Sequence, residues 1–180
     1  MVSLTFKLID PNDIAPVANL FTISAAGAIT GSDYTIAAVS TTGVEKVLIS
    51  NFETSTFNTI VDTALMSGLT TVGLGSSSAT GDTTFTGLQS IISSEMRNGS
   101  GDLTLTYNSD PISGDTDTQA LTVSALTNGT FTADGIETLA ITSELVKSTL
   151  KDVTGSALTK ITVDGAAKLT VTDALTEKTI

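Results

Sequence analysis

Aliphatic and polar residues alternate in short runs along most of this chain. Residues 135–173 show it best: GIETLAITSELVKSTLKDVTGSALTKITVDGAAKLTVTD. Segments 136–142, 158–163 and 168–172 each place Val, Ile, Leu or Ala between Thr and other polar residues. A period of two is the signature of a strand with one buried face. The opening of this stretch recurs upstream. GIETLAIT at 135–142 matches GVEKVLIS at 43–50, and GLQSIIS at 87–93 is a looser copy. GLTTV at 68–72 and ALTKI at 157–161 are half-copies. The fuller copies begin at Gly43, Gly87 and Gly135, roughly every 45 residues, a spacing expected of stacked repeats.

This pattern predicts an all-β protein, a parallel β-solenoid (β-helix) with short strands and coils of roughly 20–25 residues. Tandem β-sandwiches are the alternative fold, because antiparallel strands with Asn-Gly turns alternate in the same way. Residues 1–42 read as an N-terminal edge segment and 43–180 as the repeat solenoid. The pattern runs to Ile180 without a cap, so the chain is expected to be a fragment of a longer repeat.

In order, the expectations are these. Residues 1–9 form a strand, and 10–13 a turn around Pro11. Segments 21–24 and 28–30 form a hairpin or a corner about Ala26-Gly27, and 34–40 a strand. Residues 51–59 form a loop or a short strand, and 60–66 a strand in preference to one or two helical turns. GSSSATGD at 75–82 is a low-complexity loop. Residues 98–102 turn into a strand at 103–107, and 108–117 is the longest and most acidic break. Strands 119–125 and 130–132 flank Asn128-Gly129. Residues 144–152 are the one helix-like segment, on whose surface Glu144 and Lys147 could pair, and a strand fits the same residues nearly as well.

Composition narrows the function classes. The 180 residues are 40% hydrophobic but only 4% aromatic, without Trp. A core of small aliphatic side chains suits regular stacking better than an irregular globule. Thr and Ser make up about 30% of the chain, far above ordinary usage. The net charge is −11. That disfavours nucleic acid and anionic membrane surfaces, both of which are held by Lys and Arg. No run of residues approaches a membrane span, so membrane insertion is not expected. The absence of Cys and His removes disulfides, thiolate chemistry, Cys/His zinc sites and histidine-based triads. Five of the eight basic residues fall from Lys147 onward: Lys147, Lys151, Lys160, Lys168 and Lys178. They form either a solvated face or one half of a head-to-tail charge match between subunits.

The candidate metal ligands are Asp110, Asp115 and Asp117. They share one loop with Asn108, Ser109, Ser113 and Gly114. Calcium takes ~6–8 oxygen ligands, and a loop containing glycine can wrap it. The Asp/Gly pairs 81–82, 101–102, 114–115, 134–135 and 164–165 read as repeat turns that could also ligate calcium between coils. Thr-x-Thr at 104–106 and 170–172 resembles the threonine files of ice-binding solenoids, but the irregular spacing favours plain strand surface. Carboxylate pairs could serve glycoside hydrolysis. One Arg, two Tyr and no Trp leave a sugar site little to work with, so no catalytic residues and no enzyme activity are expected.

The units at 43–50, 68–74, 87–93, 135–142 and 155–163 resemble the β-solenoid region of bacterial S-layer proteins and RTX-type surface adhesins exported by type I secretion. The resemblance covers most of residues 43–172. It implies parallel strands wound into a solenoid, calcium-dependent assembly into an extracellular lattice on the bacterial cell surface, and no catalysis. The glycine-rich calcium nonapeptides and a helical lipopolysaccharide-anchoring domain, both features of the family, are absent from the pattern. The expected function is a self-assembling structural protein whose partner is itself. Cell-surface polysaccharide or lipopolysaccharide would be reached through other regions, and Ca2+ is the candidate ion. A phage or adhesin fibre segment and a carbohydrate-binding β-helix are the alternatives.

Overall fold

The computed structural model describes residues 20–27, 33–38, 40–54 and 56–173. All paired strands run parallel and wind into a β-solenoid of about six turns. Each full coil contributes one strand to sheet A and one to sheet B. Sheet A is built from β1 (Leu20–Gly27), β4 (Lys46–Glu53), β7 (Thr71–Ser77), β9 (Ser93–Gly99), β11 (Thr118–Leu126), β13 (Thr138–Ser143) and β16 (Lys160–Asp164), stacked in chain order. Sheet B stacks β2 (Tyr34–Ile36), β5 (Thr59–Asp62), β8 (Thr83–Leu88), β10 (Leu103–Tyr107), β12 (Thr130–Ala133) and β15 (Asp152–Thr154). Short third sides differ at the two ends. β3 (Thr41–Thr42) pairs with β6 (Met66–Ser67), and β14 (Ser148–Leu150) with β17 (Leu169–Val171).

Alternation becomes packing through the register. On sheet A, Val47 lies over Val72 and Ile49 over Leu74, while Leu74 lies over Met96. On sheet B, Val61, Phe85, Leu105 and Ala133 form one inward file. Facing files close a single aliphatic core in which Phe85 and Phe131 are the largest fully buried side chains. Coil length ranges from 20 residues (Thr118 over Thr138) to 28 (Leu103 over Phe131). The longest coil holds the acidic break at 108–117, which folds outside the sheets as a single 3-10 turn, Asp110–Ile112. Ile112 from this excursion packs against Gly135, and so returns an apolar side chain to the core.

Two long polar side chains inside the stack, Asn51 and Gln119, find partners on neighbouring coils, whereas Ser143 Oγ is buried without a hydrogen-bond partner. Asn51 is fully buried, and its Nδ2 donates to Asp82 O at 2.9 Å, Thr59 Oγ1 at 3.1 Å and Thr83 Oγ1 at 3.2 Å. Gln119 is also fully buried. It donates to Ile92 O and Ala120 O and accepts from the Tyr107 hydroxyl. Burial pushes the Tyr107 phenol well above its ordinary pKa.

Several expectations change. Residues 144–152 are not helical: β14 and β15 occupy this stretch, with Ser148, Leu150 and Val153 pointing inward. The helical spacing of its apolar residues was matched equally by alternation, and pairing with β12 and β17 decides between them. Glu144 does not pair with Lys147 but with Arg97, at 3.2 Å. Ala26 and Gly27 are not a turn, since β1 runs straight through to Gly27 beside β4. β7 continues to Ser77, inside the supposed loop at 75–82, because Ser76 and Ser77 pair with Ser50 and Asn51 across a bulge. Strands 1–9 and 28–30 lie outside the described residues. β1–β3, before residue 43, pair with β4–β6 after it. Gly87 is not a register equivalent of Gly43 and Gly135. Lys46 lies over Thr71 and Thr71 over Ser93, so Ser90 takes the place of Gly43 and Gly68. Gly43, Gly68 and Gly135 share that place with φ of 75°, 89° and 78°, a backbone region that favours glycine.

Candidate assembly surface

The coil corners put the aspartates to a common use. The Asp33 carboxylate accepts the N–H of Asn58, Asp82 that of Asp102, Asp102 that of Thr130, and Asp134 that of Ser156. These bonds span 2.7–2.9 Å, and each reaches a residue one coil further along. A carboxylate accepting a backbone N–H makes a charge-assisted bond, so these residues act as rungs between coils. Burial raises the Asp82 pKa and the nearby Asp102 charge adds to this, against the hydrogen bond from Asp102. Three of the five Asp/Gly corners are such rungs. Asp164 instead accepts the adjacent Gly165 N–H, and Asp115 is exposed.

Asp110, Asp115 and Asp117 do not converge. Among the described residues no group of three or more Asp, Glu, His or Cys could hold a metal ion. Asp110 begins the 3-10 turn, where its carbonyl accepts the Ser113 hydroxyl at 2.9 Å. Asp117 lies at the next corner. Its N–H donates to Glu137 Oε2 at 2.8 Å, and its Oδ2 is buried without a hydrogen-bond partner.

The outer face of sheet A carries a chain of charges. Lys46 Nζ lies 2.6 Å from Glu95 Oε1, Arg97 Nε lies 2.8 Å from Glu95 Oε2, and Arg97 Nη2 reaches Glu144. Burial alone would raise the Glu95 pKa, but hydrogen bonds and charge from Lys46 and Arg97 outweigh it and hold the carboxyl below its ordinary value. The outer face of sheet B carries threonines. Thr84, Thr104, Thr132 and Thr154 fall in one file over successive coils, and the last two hydroxyls are 2.8 Å apart. This file is more regular than the sequence suggests, because coils of unequal length hide it from any fixed period.

Among the described residues β16, the last strand of sheet A, is hydrogen-bonded on one side only, to β13. Ile161 is buried beside Leu139, whereas Val163, which continues the inward file of Leu121 and Ile141, is 49% exposed. No protein-family model, curated protein or solved structure matches this chain. The reading of this surface therefore rests on its own chemistry. The Lys46–Glu95–Arg97–Glu144 chain and the aspartate rungs escaped the sequence reading. The rungs had a signal, the recurring Asp at glycine corners; the charge chain had only Glu95 and Arg97 two residues apart, since its other links span 49 and 47 residues.

Proposed function

We propose that this chain is a non-catalytic structural protein that assembles with copies of itself into a filament or S-layer-like sheet at the bacterial cell surface. The observation that carries the reading is the all-parallel stack of sheets A and B, in which each strand is laid in register on the coil before it. Among the described residues β16 pairs on one side only, and a parallel strand edge of that kind is a template for another coil. The backbone N–H and C=O groups of such an edge pair with any strand offered at ~4.8 Å. The all-parallel stack supplies such strands from its own repeats. Calcium is the candidate ion of this reading. Because Asp110, Asp115 and Asp117 do not converge within one chain, the ion would act between copies.

Sedimentation velocity and negative-stain electron microscopy of the whole chain test this, with excess calcium and then with chelator. Ordered filaments or sheets are expected, and their dissolution on chelation would assign calcium the bridging role. Assemblies unchanged by chelator would retain self-assembly and remove calcium. Monodisperse single chains in both conditions would overturn the proposal.

A further inference from the structure

Two Asn-Gly pairs stand where successive coils leave sheet A for sheet B, Asn98-Gly99 and Asn128-Gly129. Asn is a thermolabile residue. Its side-chain carbonyl carbon is open to attack by the nitrogen of the next residue, and a glycine there has no side chain to hinder the approach. Ring closure needs a free Asn amide and a following N–H that no hydrogen bond holds. The fold meets those conditions at one pair and withholds them at the other.

Asn98 and Gly99 are the last two residues of β9. Asn98 Nδ2 donates to Gly75 O on the coil before, at 3.2 Å, and Gly99 O accepts the Thr127 N–H from the coil after, at 2.9 Å. Gly99 is packed so closely on Ser77 that a Cβ would stand 2.3 Å from Ser77 Oγ. Moving either residue breaks contacts on two coils. Asn128-Gly129 lies between β11 and β12, outside both strands, and Asn128 is exposed. Its flanks are tied, Thr127 N–H to Gly99 O and Thr130 N–H to Asp102 Oδ1 at 2.7 Å. Between those ties, neither the Asn128 side-chain amide nor the Gly129 N–H makes a hydrogen bond among the described residues. The fold also demands the glycine, since a Cβ at residue 129 would stand 2.7 Å from Gly101 O. The Asp-Gly corners are poorer sites, because an ionised carboxylate resists attack. Asp134 and Gly135 are both held by Ser156, and the Gly165 N–H is held by Asp164 Oδ1 at 2.6 Å.

We propose that Asn128 is a site of spontaneous modification, where deamidation ages the seam between neighbouring coils. The Gly129 N–H gives its proton to solvent base and the nitrogen bonds to Asn128 Cγ. The Cγ–Nδ2 bond breaks, and ammonia leaves with a proton from water. A second water opens the resulting succinimide at either carbonyl, returns a hydrogen to the nitrogen and leaves aspartate or isoaspartate. Nothing is oxidised or reduced. Both ring carbonyls belong to residue 128, which is exposed, so water reaches them although Gly129 is buried. Either product adds one negative charge to a chain of net charge −11. Isoaspartate also lengthens the main chain by a methylene between the two ties, and so strains the Thr127–Gly99 and Thr130–Asp102 bonds that join this coil to the one before. The reaction needs no partner and stands apart from self-assembly.

The test incubates the whole chain at mildly alkaline pH, folded and in denaturing urea, in water carrying a heavy oxygen isotope. Peptide mass spectrometry then locates each residue that has exchanged NH for O and separates aspartate from isoaspartate. Each hydrogen bond that must open before ring closure slows the reaction roughly 5-fold. In the folded chain Asn128 is therefore expected to convert at least ~10-fold faster than Asn98, whereas in urea the two should convert at similar rates. Equal rates in the folded chain, or a faster rate at Asn98, would overturn the proposal. So would a folded chain that keeps Asn128 intact while the unfolded chain converts it. Asn128→Ser should remove the acidic species that accumulates on ion exchange. Asn128→Asp adds the charge without the methylene and should keep the parent urea midpoint, while the isoaspartate form should unfold at a lower one. An isoaspartate form as stable as the parent would overturn the effect on the seam.

Discussion

Lys46 and Glu95 stand two coils apart, yet their charged groups meet at 2.6 Å across the intervening coil. The coil between them contributes Gly73 directly beneath Glu95, so no side chain blocks the path. With Arg97 and Glu144 the contact extends from the second coil to the sixth. Nearest-neighbour contacts dominate repeat stacks. This chain of charges ties coils that share no hydrogen-bonded strand. Glu95 is only 13% exposed, so its pairing is worth more than a surface ion pair. Replacing it with Gln is expected to cost about 1–2 kcal/mol. A Lys46→Met, Glu95→Gln double-mutant cycle, followed by urea unfolding, should show a coupling energy of several tenths of a kcal/mol or more. Additive effects would mean that the two groups only touch.

The same residue sets an acid limb. Glu95 has a folded pKa below its ordinary 4.5, so its contribution is complete above that value and lost as pH falls through the lower folded value. Asp82 has the opposite sign. Its folded pKa is raised above 3.8, chiefly by burial, so its contribution is present below 3.8 and lost as pH rises through the folded value. Thermal midpoints measured by circular dichroism from pH 7 to pH 3 should therefore fall less steeply in Glu95→Gln than in the parent. Asp82→Asn keeps an acceptor for the Asp102 N–H and removes the buried charge. It should raise the midpoint at pH 7 relative to its value at pH 3.

Gly73 and Gly75 lie in the same strand and should respond in opposite ways to alanine. A Cβ at Gly73 would stand 2.1 Å from the Glu95 carbonyl oxygen, part of the backbone of the next coil. At Gly75 the nearest atom is Leu48 Cβ at 3.6 Å, an ordinary contact. Gly73→Ala should cost about 3 kcal/mol, at the upper end of overpacking. Gly75→Ala should be neutral or stabilising by up to about 1 kcal/mol, through the unfolded chain. Chemical denaturation of the two variants checks both, and equal costs would contradict the close approach of the coils at Gly73.

The aspartate rungs predict a loss of stability independent of calcium. Asp102→Ala removes the acceptor of the Thr130 N–H and should cost about 1–2 kcal/mol. The loss should be the same with calcium and with chelator. A cost that appears only with calcium would make Asp102 a ligand rather than a rung.

Much of the fold was legible because burial on a pleated strand writes itself as alternation: 103–107 and 119–125 are strands almost to the residue. What alternation leaves out is which residues stack. The coil from Leu103 to Phe131 is longer by eight than the coil from Thr118 to Thr138, so no single period aligns the repeats. That is why Gly87 mimics Gly43 when Ser90 occupies its place, and why the threonine file is invisible until the coils are in register. Residues 144–152 misled because a segment of nine carries too few turns to separate a period of 3.6 from one of two. The excess of lysine after Lys147 was visible, but that Lys147 and Lys151 fall where the chain passes from sheet A to sheet B while Lys160 opens β16 depends on the path of the coil. The three loop aspartates were grouped by sequence proximity, whereas what each does depends on the backbone: Asp110 opens the 3-10 turn, Asp115 is exposed, and Asp117 donates its N–H to Glu137.

The excursion at 108–117 shows that the girth of this molecule is adjustable separately from its length. The long coil returns to the same strand register, with Leu103 over Phe131 and Ser94 beneath Leu121, after carrying extra residues out of the stack. Foreign peptide spliced beside Ser113 and Gly114, both exposed, would be carried outward while the strands on either side keep their partners. The corner is a ready attachment point for displayed epitopes or tags. In an ordered array, each inserted cargo would repeat once per subunit at a spacing set by the protein itself.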